Sequence, residues 1–597
     1  GRSDQQMREY LAGRKSLLFF LIIAAAAVLR FAFLGSFSYF IDEIHAMNFS
    51  SGSLLGTIRI LGETPGTAPL DYAIVNLLSR VSTSEWFMRL PSAAAGVLSV
   101  WYTYKLARRW FGGKQALISS ALVAFSSAHI YYSQSIRCYS LGILLVLVAV
   151  DAFEEVSENG GMKAAVWFGI VSALAVLNQF FALIPLGLLI ASAAAGLYSL
   201  KRRGGEIPRA RLVAAVLATV LIAIVTILNV KLILAPKSLG VMRAPEAAWA
   251  LAILQAMRAF SKFASLGKPL AGVFVLLLSA AGLFSMMFGE PKKFRTIFIV
   301  AVLPAPVILF QEIRLRSGVQ LRHLVYTLPY FMMAASLGID SLAGWFVRGR
   351  GRFSLRRILR TSKLNRSSWE LVICCFVAFM MLQSVKLYLS EPYRFNGGEA
   401  ELRPDLRTAA VEIARHTGAG DCLVATGIAS GPWKYSVQFY LKQMHHTMQW
   451  YDFTDLGTGK IKPGECRIKF VFFDFPYIYT RDFTDSTDDF KITKLNDFAF
   501  MFEPVPPARD ARSLTRAANR FAYLTAPPAD FGIYSQAYTN LGIAAKMNGS
   551  LPRADYLQAK ASGSAGRSLF RNVFDEIEAR REYARTLTAE GDESSAY

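Results

Sequence analysis

Residues 36–48 read SFSYFIDEIHAMN and follow directly on the apolar run at residues 17–34. That run approaches the ~20 residues that a helix needs to cross the hydrocarbon of a bilayer. Asp42 and Glu43 therefore stand where the chain is expected to leave the membrane. Carboxylates at such a place are costly to keep, so by default they suggest a functional site.

Similar apolar runs recur along the first two thirds of the 597 residues, and 53% of the chain is hydrophobic against 18% charged. With a mean hydropathy of +0.33, this composition is unusual for a soluble protein. It predicts a polytopic α-helical membrane protein with about eleven spans. The predicted spans are residues 17–34, 87–111, 116–132, 139–153, 164–177, 181–200, 212–234, 270–288, 297–310, 324–346 and 371–389.

The net charge of +22 is unevenly distributed along the chain. Residues 391–597 hold 25 Lys and Arg against 26 Asp and Glu, so the basic excess lies in the loops between the spans. Such loops are expected on the cytoplasmic side. This pattern predicts a cytoplasmic N-terminus and a C-terminal part outside the cytoplasm, and it removes the main support for a nucleic-acid partner.

Three domains are predicted: a membrane domain at 1–390 with an outer loop at 35–86, an outer α/β domain at 391–527, and a helical hairpin with a tail at 528–597. The α/β pattern comprises helices at 406–415 and 435–443 and strands at 422–426 and 468–473. The sequence YTNLGIAAKMNG at 538–549 is similar to one tetratricopeptide unit, although a generic helical hairpin fits it equally well.

Two cysteines of the outer domain, Cys422 and Cys466, each stand at the start of a predicted strand. Neighbouring parallel strands begin at the same edge of a sheet, so the two side chains are expected to lie close together. A disulfide between them would close a loop of about 45 residues and contribute about 4 kcal/mol in the loop-entropy model. Two separately buried thiols are the alternative.

Acidic residues are few on the predicted outer side of the membrane domain. They are Asp42, Glu43, Glu63, Asp71, Glu85, Glu246 and Glu312. Asp42 and Glu43 form the only adjacent pair in this set, directly after a span that would hold them rigidly. We therefore predict that this pair is catalytic, with Asp42 as a base, against the alternative that both residues cap a short interfacial helix.

Basic residues also occur on the outer side, where the charge rule would not place them. Arg137 and Arg322 lie at span ends beside aromatic residues, with His323 and Arg314 nearby. The planar guanidinium group suits a phosphate, so these four residues are predicted to bind one. The alternative is contact with lipid head groups.

Metal binding is not signalled by the sequence. His45 and His129 could join the acid pair, but their spacing is not diagnostic. No cofactor is expected to be required, although a divalent metal stays open. The chain also lacks a phosphate-cradling glycine loop, a Cys-x-x-Cys pair and a Gly-x-Ser-x-Gly elbow.

Four stretches together resemble the bacterial protein-mannosyltransferase-like branch of the GT-C glycosyltransferases, which includes the aminoarabinose transferase acting on lipid A. They are the Asp42–Glu43 pair, APLDY at 68–72, SEWFMRLPS at 84–92 and AHIYYSQSIRCYS at 128–140. The resemblance covers residues 19–330, and the last two stretches in combination are its most specific part.

This resemblance implies a sugar donor carried on a polyprenyl phosphate, an active site at the outer face and inversion at the anomeric carbon. Asp42 matches the acid that activates the acceptor, with Glu43 as its neighbour, and Arg137 and Arg322 match positions near the donor phosphate. The residues expected along the substrate or lipid groove are His45, Asp71, Tyr131, Tyr132, Gln134, Tyr139, Gln179 and Phe180.

The sequence departs from the family pattern at two positions. Thr67 stands where Lys or His is common, and Ser135 stands where an acid is common. The acceptor therefore stays open as a lipid, a glycan or a protein. An oligosaccharyl transferase and a lipid or polyisoprenoid transporter are the alternative functions. The expected location is the bacterial inner membrane, with a periplasmic C-terminal domain that could also contact a protein partner.

Overall fold

The structure is a computed structural model, and it describes most of the chain. The described residues are 2–39, 41–62, 68–228, 268–308, 321–348, 365–390, 405–426, 430–457, 460–461, 465–473, 487, 489–496 and 499–524. Several predictions lie outside these residues: those for Arg314, for Thr67 and for the hairpin at 528–597.

The chain divides into two compact units. The first comprises residues 1–37, 42–239 and 249–403, and the second comprises residues 38–41, 240–248 and 404–597. The helices of the first unit are α1 (Arg2–Phe31), α2 (Ile41–Phe49), α3 (Leu54–Gly62), α4 (Pro69–Ser79), α5 (Glu85–Phe111), α6 (Gly113–Ala124), α7 (Ser127–Ser133), α8 (Cys138–Asn159), α9 (Met162–Asn178), α10 (Leu183–Arg202), α11 (Arg209–Leu228), α12 (Pro269–Gly289), α13 (Pro291–Ile297), α14 (Leu328–Arg348) and α15 (Arg366–Ser390).

Several of these helices are suited to a membrane. Within the described ranges, five are long and apolar enough to cross one, and a bent pair would make a sixth. The five are Phe180–Arg202, Arg209–Ile227, Leu270–Gly289, Arg322–Val347 and Arg366–Ser390. The helical membrane character is therefore confirmed, while the count of eleven spans stays a prediction.

One predicted span, residues 116–132, is wrong as a continuous helix. Helix α6 ends at Ala124, and α7 begins at Ser127 after Ser126, whose side chain accepts a hydrogen bond from the His129 N–H. Such side-chain capping starts a new helix because it satisfies an amide that has no partner within the helix. Helix α7 then meets α8 at a bend of 110°, and residues 134–137 occupy that bend.

Helices α12 and α14 approach each other closely through two glycines. A Cβ atom at Gly282 would overlap the Ala334 carbonyl oxygen, and one at Gly338 would overlap the Leu278 carbonyl oxygen. The Ser279 hydroxyl also donates a hydrogen bond across the pair to the Phe331 carbonyl, at 2.8 Å. Small residues that let backbones meet are a usual basis for helix association in membranes.

The second unit contains a five-stranded mixed sheet in the order β2-β1-β3-β5-β4. Its described elements are α16 (Leu406–His416), β1 (Asp421–Thr426), α17 (Ser430–Gln443), β2 (Gln449–Asp452), α18 (Phe453–Gly457), β3 (Arg467–Phe473), β4 (Phe490–Asn496), β5 (Ala499–Pro504) and α19 (Ala511–Leu524). Strand β1 pairs with β2 and β3 in parallel, and β5 pairs with β3 and β4 in antiparallel. The two predicted strands and two predicted helices of this unit are therefore present.

The disulfide between Cys422 and Cys466 is also present, with a Cα–Cα distance of 5.8 Å. It forms because β1 and β3 are neighbours and Cys422 pairs with Ile468, two residues beyond Cys466. The core beside it is aromatic, with the Phe470 and Phe521 rings stacked at 4.5 Å between centroids. The separate-thiol alternative is thus excluded.

Residues 38–41 group with this second unit. The Ser38 hydroxyl oxygen accepts a hydrogen bond from the Leu406 N–H at 3.0 Å. The Tyr39 N–H donates to the Tyr440 hydroxyl at 2.5 Å, and the Tyr39 ring meets the Phe439 ring edge-on at 5.7 Å. A short segment from the first 50 residues therefore packs with residues some 400 positions later.

Candidate active site

The site is centred on Asp42, in the first turn of α2. Its Oδ2 atom lies 3.2 Å from Arg322 Nη1 and 3.8 Å from Arg137 Nη2. The three side chains keep 27%, 20% and 19% of their surface exposed, in the order Asp42, Arg322, Arg137. The structure thus brings together the predicted base and two of the predicted phosphate-binding residues, in a place that is partly open.

Arg137 is positioned by the bend between α7 and α8. It is the residue that precedes α8, with extended backbone angles (φ −150°, ψ 154°), and its N–H donates to the Ser135 carbonyl at 2.9 Å. The guanidinium group lies 5.8 Å from the centre of the Tyr139 ring, a cation–π contact. Its buried Nε has no hydrogen-bond acceptor among the described residues.

Arg322 and His323 lie in a 3₁₀ turn, Leu321–Thr327, that leads into α14. The His323 ring stacks on Phe181 at 4.3 Å between centroids and an interplanar angle of 25°. Arg322 therefore contacts Asp42, whereas the His323 ring packs on an aromatic side chain of the segment just before α10.

Glu43 has a different role from the one predicted. Its carboxylate is fully buried and accepts two hydrogen bonds from Arg89, from Nε at 3.0 Å and from Nη2 at 2.7 Å. The Ile136 N–H donates to the same carboxylate at 2.8 Å. Because both oxygens are engaged away from solvent, the structure does not place Glu43 to take a proton from a substrate, which corrects its predicted catalytic role.

The Glu43–Arg89 pair instead joins the two segments that carry the site. Arg89 Nη1 also donates to the carbonyls of Leu34 at 3.0 Å and Phe37 at 2.8 Å, beyond the end of α1. Glu43 is the neighbour of Asp42, and Ile136 is the neighbour of Arg137. One buried ion pair therefore fixes the backbone on both sides of the Asp42–Arg137 contact, and a bidentate pair is suited to this because its geometry is specific.

Gln134 was predicted in the substrate groove, but it is fully buried. Its Nε2 donates to the carbonyls of Leu29 and Arg30 in α1 and of Ala32 just after it, at 3.0 to 3.4 Å. Its Oε1 accepts from the Tyr388 hydroxyl at 2.6 Å. This residue locks the bend onto the end of α1, which corrects the groove prediction for it.

The predicted groove tyrosines also form an internal cluster. Tyr131 and Tyr132 meet edge-on at 5.1 Å, Tyr132 and Tyr139 at 4.9 Å, and all three are buried. Tyr131 also faces Tyr388 at 6.3 Å. The three rings therefore pack against one another, and the Tyr139 ring also contacts the Arg137 guanidinium.

The other groove residues are dispersed. Gln179 is buried, and its Oε1 lies where a Cβ on Gly142 would meet it at 3.0 Å, so it rests on α8. Phe180 begins a 3₁₀ turn and is partly buried. His45 is exposed and stacks on Phe49 at 6.1 Å. Among the described residues, no three His, Cys, Asp or Glu side chains converge as metal ligands would.

Arg30 was missed by the sequence analysis, although an arginine inside an apolar run is itself a signal. It is fully buried and donates to the carbonyls of Val123 and Ala124, at the end of α6, at 3.1 Å each. Its Nη2 lies 2.8 Å from Nδ1 of His129. Arg30 thus supplies side-chain donors to carbonyls at the end of α6, and His129 packs as a buried structural histidine.

Asp71 adds a second carboxylate to the site. It lies in the first turn of α4, is 8% exposed, and its carboxylate accepts a hydrogen bond from the Cys138 N–H. Burial raises the pKa of Asp71 to about 6, although the positive charge of Arg137 and the Cys138 N–H both act to lower it. Arg137 therefore interacts electrostatically with both Asp71 and Asp42.

We expect Asp71→Asn to raise the melting temperature of the protein at pH 7.5 but not at pH 4. The folded-state pKa lies above the ordinary 3.8, so the folded state binds more protons between pH 4 and 6, and stability falls as the pH rises through that window. The loss is about 3 kcal/mol at most, and Asn does not titrate. Thermal unfolding of the wild type and the variant at the two pH values measures the difference in melting temperature. An equal difference at both pH values would contradict the expectation.

The sequence and structure were compared with known proteins. Residues 66–228 match the family model for dolichyl-phosphate-mannose-protein mannosyltransferase. A search of curated proteins found no match. Among solved structures, the chain is similar to ArnT from Cupriavidus metallidurans in the apo state, at 14% identity and a TM-score of 0.46, covering 81% of this chain and 97% of that one.

Two further similar structures are more distant. The oligosaccharyltransferase of Archaeoglobus fulgidus is 12% identical with a TM-score of 0.40, covering 71% of this chain and 63% of that one. The arabinosyltransferase EmbB of Mycobacterium smegmatis is 12% identical with a TM-score of 0.37, covering 72% and 40%.

The segment matched by the family model holds the bend that carries Arg137, the arginine of the SEWFMRLPS stretch and Asp71. Asp42 and Arg322, the other two residues of the site, lie outside the matched segment. The chain is therefore similar to the dolichyl-phosphate-mannose-protein mannosyltransferase family over residues 66–228.

Proposed function

We propose that this protein is an inverting glycosyltransferase that moves a sugar from a polyprenyl-phosphate donor to an acceptor hydroxyl at the outer face of a membrane. The observation that carries the proposal is the partly open group of Asp42, Arg137 and Arg322, with Oδ2 of Asp42 at 3.8 and 3.2 Å from the two guanidinium groups. It combines a carboxylate that can accept a proton with cations that can hold a phosphate.

The reaction uses these groups in two ways. Asp42 accepts the proton of the acceptor hydroxyl as that oxygen forms a bond to the anomeric carbon, because a hydroxyl is otherwise a weak nucleophile. The bond from the anomeric carbon to the phosphate oxygen breaks on the opposite side, which inverts the configuration. The phosphate leaves with an added negative charge, and the guanidinium groups of Arg137 and Arg322 stabilise that charge.

The disulfide supports the proposed orientation. Disulfides persist outside the cytoplasm, and Cys422–Cys466 lies in the second unit. We therefore propose that this unit lies in the periplasm, on the outer side of a bacterial inner membrane, and that the N-terminus lies in the cytoplasm. The acceptor is a lipid, a glycan or a protein, and the second unit is a candidate surface for the acceptor or for a partner protein.

Transfer from a panel of radiolabelled undecaprenyl-phosphate sugars tests the proposal, with the protein in vesicles of total bacterial lipid supplemented with membrane extract as acceptor. We expect label to leave the prenyl carrier for at least one sugar, and nucleotide sugars to be inactive. If label moved only from nucleotide sugars, the donor class would be wrong. If a labelled carrier crossed the bilayer and no sugar moved, the transporter alternative would hold.

Arg137→Ala and Arg322→Ala are each expected to weaken the binding of undecaprenyl phosphate about tenfold or more. A charge-assisted hydrogen bond contributes about 1.5 to 3 kcal/mol, and Lys at either position should recover only part of it because the forked geometry is lost. Direct titration of the protein in nanodiscs measures the Kd. Arg59→Ala, at an exposed arginine on α3, serves as control, and wild-type affinity in both site variants would point to lipid head-group contacts instead.

A further inference from the structure

Asp71 lies beside the phosphate-binding part of the site. It sits in the first turn of α4 and is 8% exposed. Its carboxylate accepts the N–H of Cys138, the first residue of α8 and the one that follows Arg137. The next residue on α4, Tyr72, interacts with Arg137 through its hydroxyl. The N-terminal turn of α4 is therefore packed directly against the arginine.

Helix capping alone does not account for an aspartate here. Asp71 lies behind the N-cap residue Ala68, in the first turn of α4, where the helix dipole favours a negative charge only slightly. The amide oxygen of Asn would accept the same N–H. A buried aspartate has an extra cost, because burial disfavours its charged form and raises its pKa to about 6. Since the charged form is the costly one, its negative charge is the feature that needs a purpose.

Charge balance suggests what that purpose is. Arg137 and Arg322 face Asp42 at 3.8 and 3.2 Å, and the electrostatic field of Arg137 also reaches Asp71. Two arginines and two aspartates give this group no net charge. An incoming phosphate is then held by hydrogen bonds from the two guanidinium groups. The four side chains together have no excess positive charge that would attract it further.

The reaction changes the charge that the arginines hold. A polyprenyl-phosphate sugar is a phosphodiester with one negative charge, while the polyprenyl phosphate left after transfer is a monoester that carries up to two near neutral pH. Arginines that bind the donor therefore bind this product more tightly, and product release limits the turnover of many enzymes. A fixed negative charge beside Arg137 repels the more highly charged product more strongly than the donor. It therefore weakens binding of the product more than binding of the donor.

We propose that Asp71 is a positioning residue that supplies this counter-charge, so that the arginine pair releases the polyprenyl phosphate after sugar transfer. The inference rests on the proposed function, because it assumes that Arg137 binds the donor and product phosphates. It assigns Asp71 to product release, and leaves proton transfer to Asp42.

Asp71→Asn tests the inference, because it keeps the acceptor for the Cys138 N–H and removes only the charge. The probe is undecaprenyl phosphate, titrated into the full-length protein in nanodiscs. We expect it to bind the variant about tenfold more tightly, with KM for the donor and kcat both lowered and inhibition by added undecaprenyl phosphate increased. A merely structural defect would weaken binding and would not lower KM. Asp71→Glu, which restores the charge, should return binding toward wild type.

Glu85→Gln is the matched control, since it removes one carboxylate from the start of α5 and should leave the Kd unchanged. An unchanged or weaker Kd in Asp71→Asn would overturn the inference, whereas the proposed function would stand if the wild type bound undecaprenyl phosphate. If the wild type did not bind this lipid, the proposed function would fail and the inference with it.

Discussion

Asp42→Asn is expected to abolish sugar transfer, with a loss of about 10²- to 10⁴-fold in kcat, the usual contribution of a positioned general base. Asn cannot accept the proton of the acceptor hydroxyl. Binding of undecaprenyl phosphate should be retained, because Arg137 and Arg322 keep their guanidinium groups and lose a competing carboxylate at 3.8 and 3.2 Å. The measurement is transfer from a radiolabelled donor together with the Kd for the lipid.

This separation of chemistry from binding is the informative part of the result. A variant that lost both would show that Asp42 supports the fold or the arginines. A variant that kept near wild-type transfer would show that another group is the base. Asp42→Glu should keep a fraction of the activity, because the carboxylate remains but is displaced by one methylene group.

Arg89→Ala is expected to lower the free energy of unfolding of the first unit by about 3 to 5 kcal/mol. This is the usual cost of leaving one partner of a buried ion pair without the other. The carboxylate of Glu43, at 2.7 Å and fully buried, would then be unpaired. The carbonyls of Leu34 and Phe37 would lose their donor as well. Thermal unfolding in detergent measures the loss, and Glu43→Ala should show a similar one.

The double variant identifies the source of this effect. If the cost arises from the stranded charge, Glu43→Ala with Arg89→Ala should be much less destabilised than the sum of the single variants. Sugar transfer by the double variant should nevertheless stay low, because the Glu43–Arg89 ion pair no longer holds the backbone on both sides of the Asp42–Arg137 contact. Arg415→Ala is the control: this arginine pairs with Glu412 while 68% of its side chain is exposed, and such a pair contributes about 1 kcal/mol or less. Additive losses would contradict the pairing account.

The sequence was sufficient to group Arg137 and Arg322 with Asp42 in one predicted site. Arg137 and Arg322 stood at span ends beside aromatic residues, where a charge is costly without a purpose, and the structure brings both to within 4 Å of Asp42. The disulfide was predictable for a similar reason, since the two cysteines precede strands that begin at one edge of a sheet.

The roles of Glu43 and Gln134 could not be predicted. Asp42 and Glu43 are adjacent, and which of two neighbours points to solvent depends on the rotation of α2, which a nine-residue helix does not reveal by periodicity. Gln134 binds backbone carbonyls about 100 residues earlier, and backbone partners leave no trace in the pattern of side chains. Strand β4, with the sequence FKITKLN, was missed because most of its residues are polar.

A structure determined with undecaprenyl phosphate tests the central claim most directly. We predict density for the phosphate within hydrogen-bond distance of Arg137 and Arg322 and next to Asp42, with the prenyl chain running into the membrane on that side. A phosphate bound elsewhere, or a prenyl chain ending at the opposite side of the membrane, would contradict the assignment of Asp42 as the base of a polyprenyl-phosphate-dependent transferase.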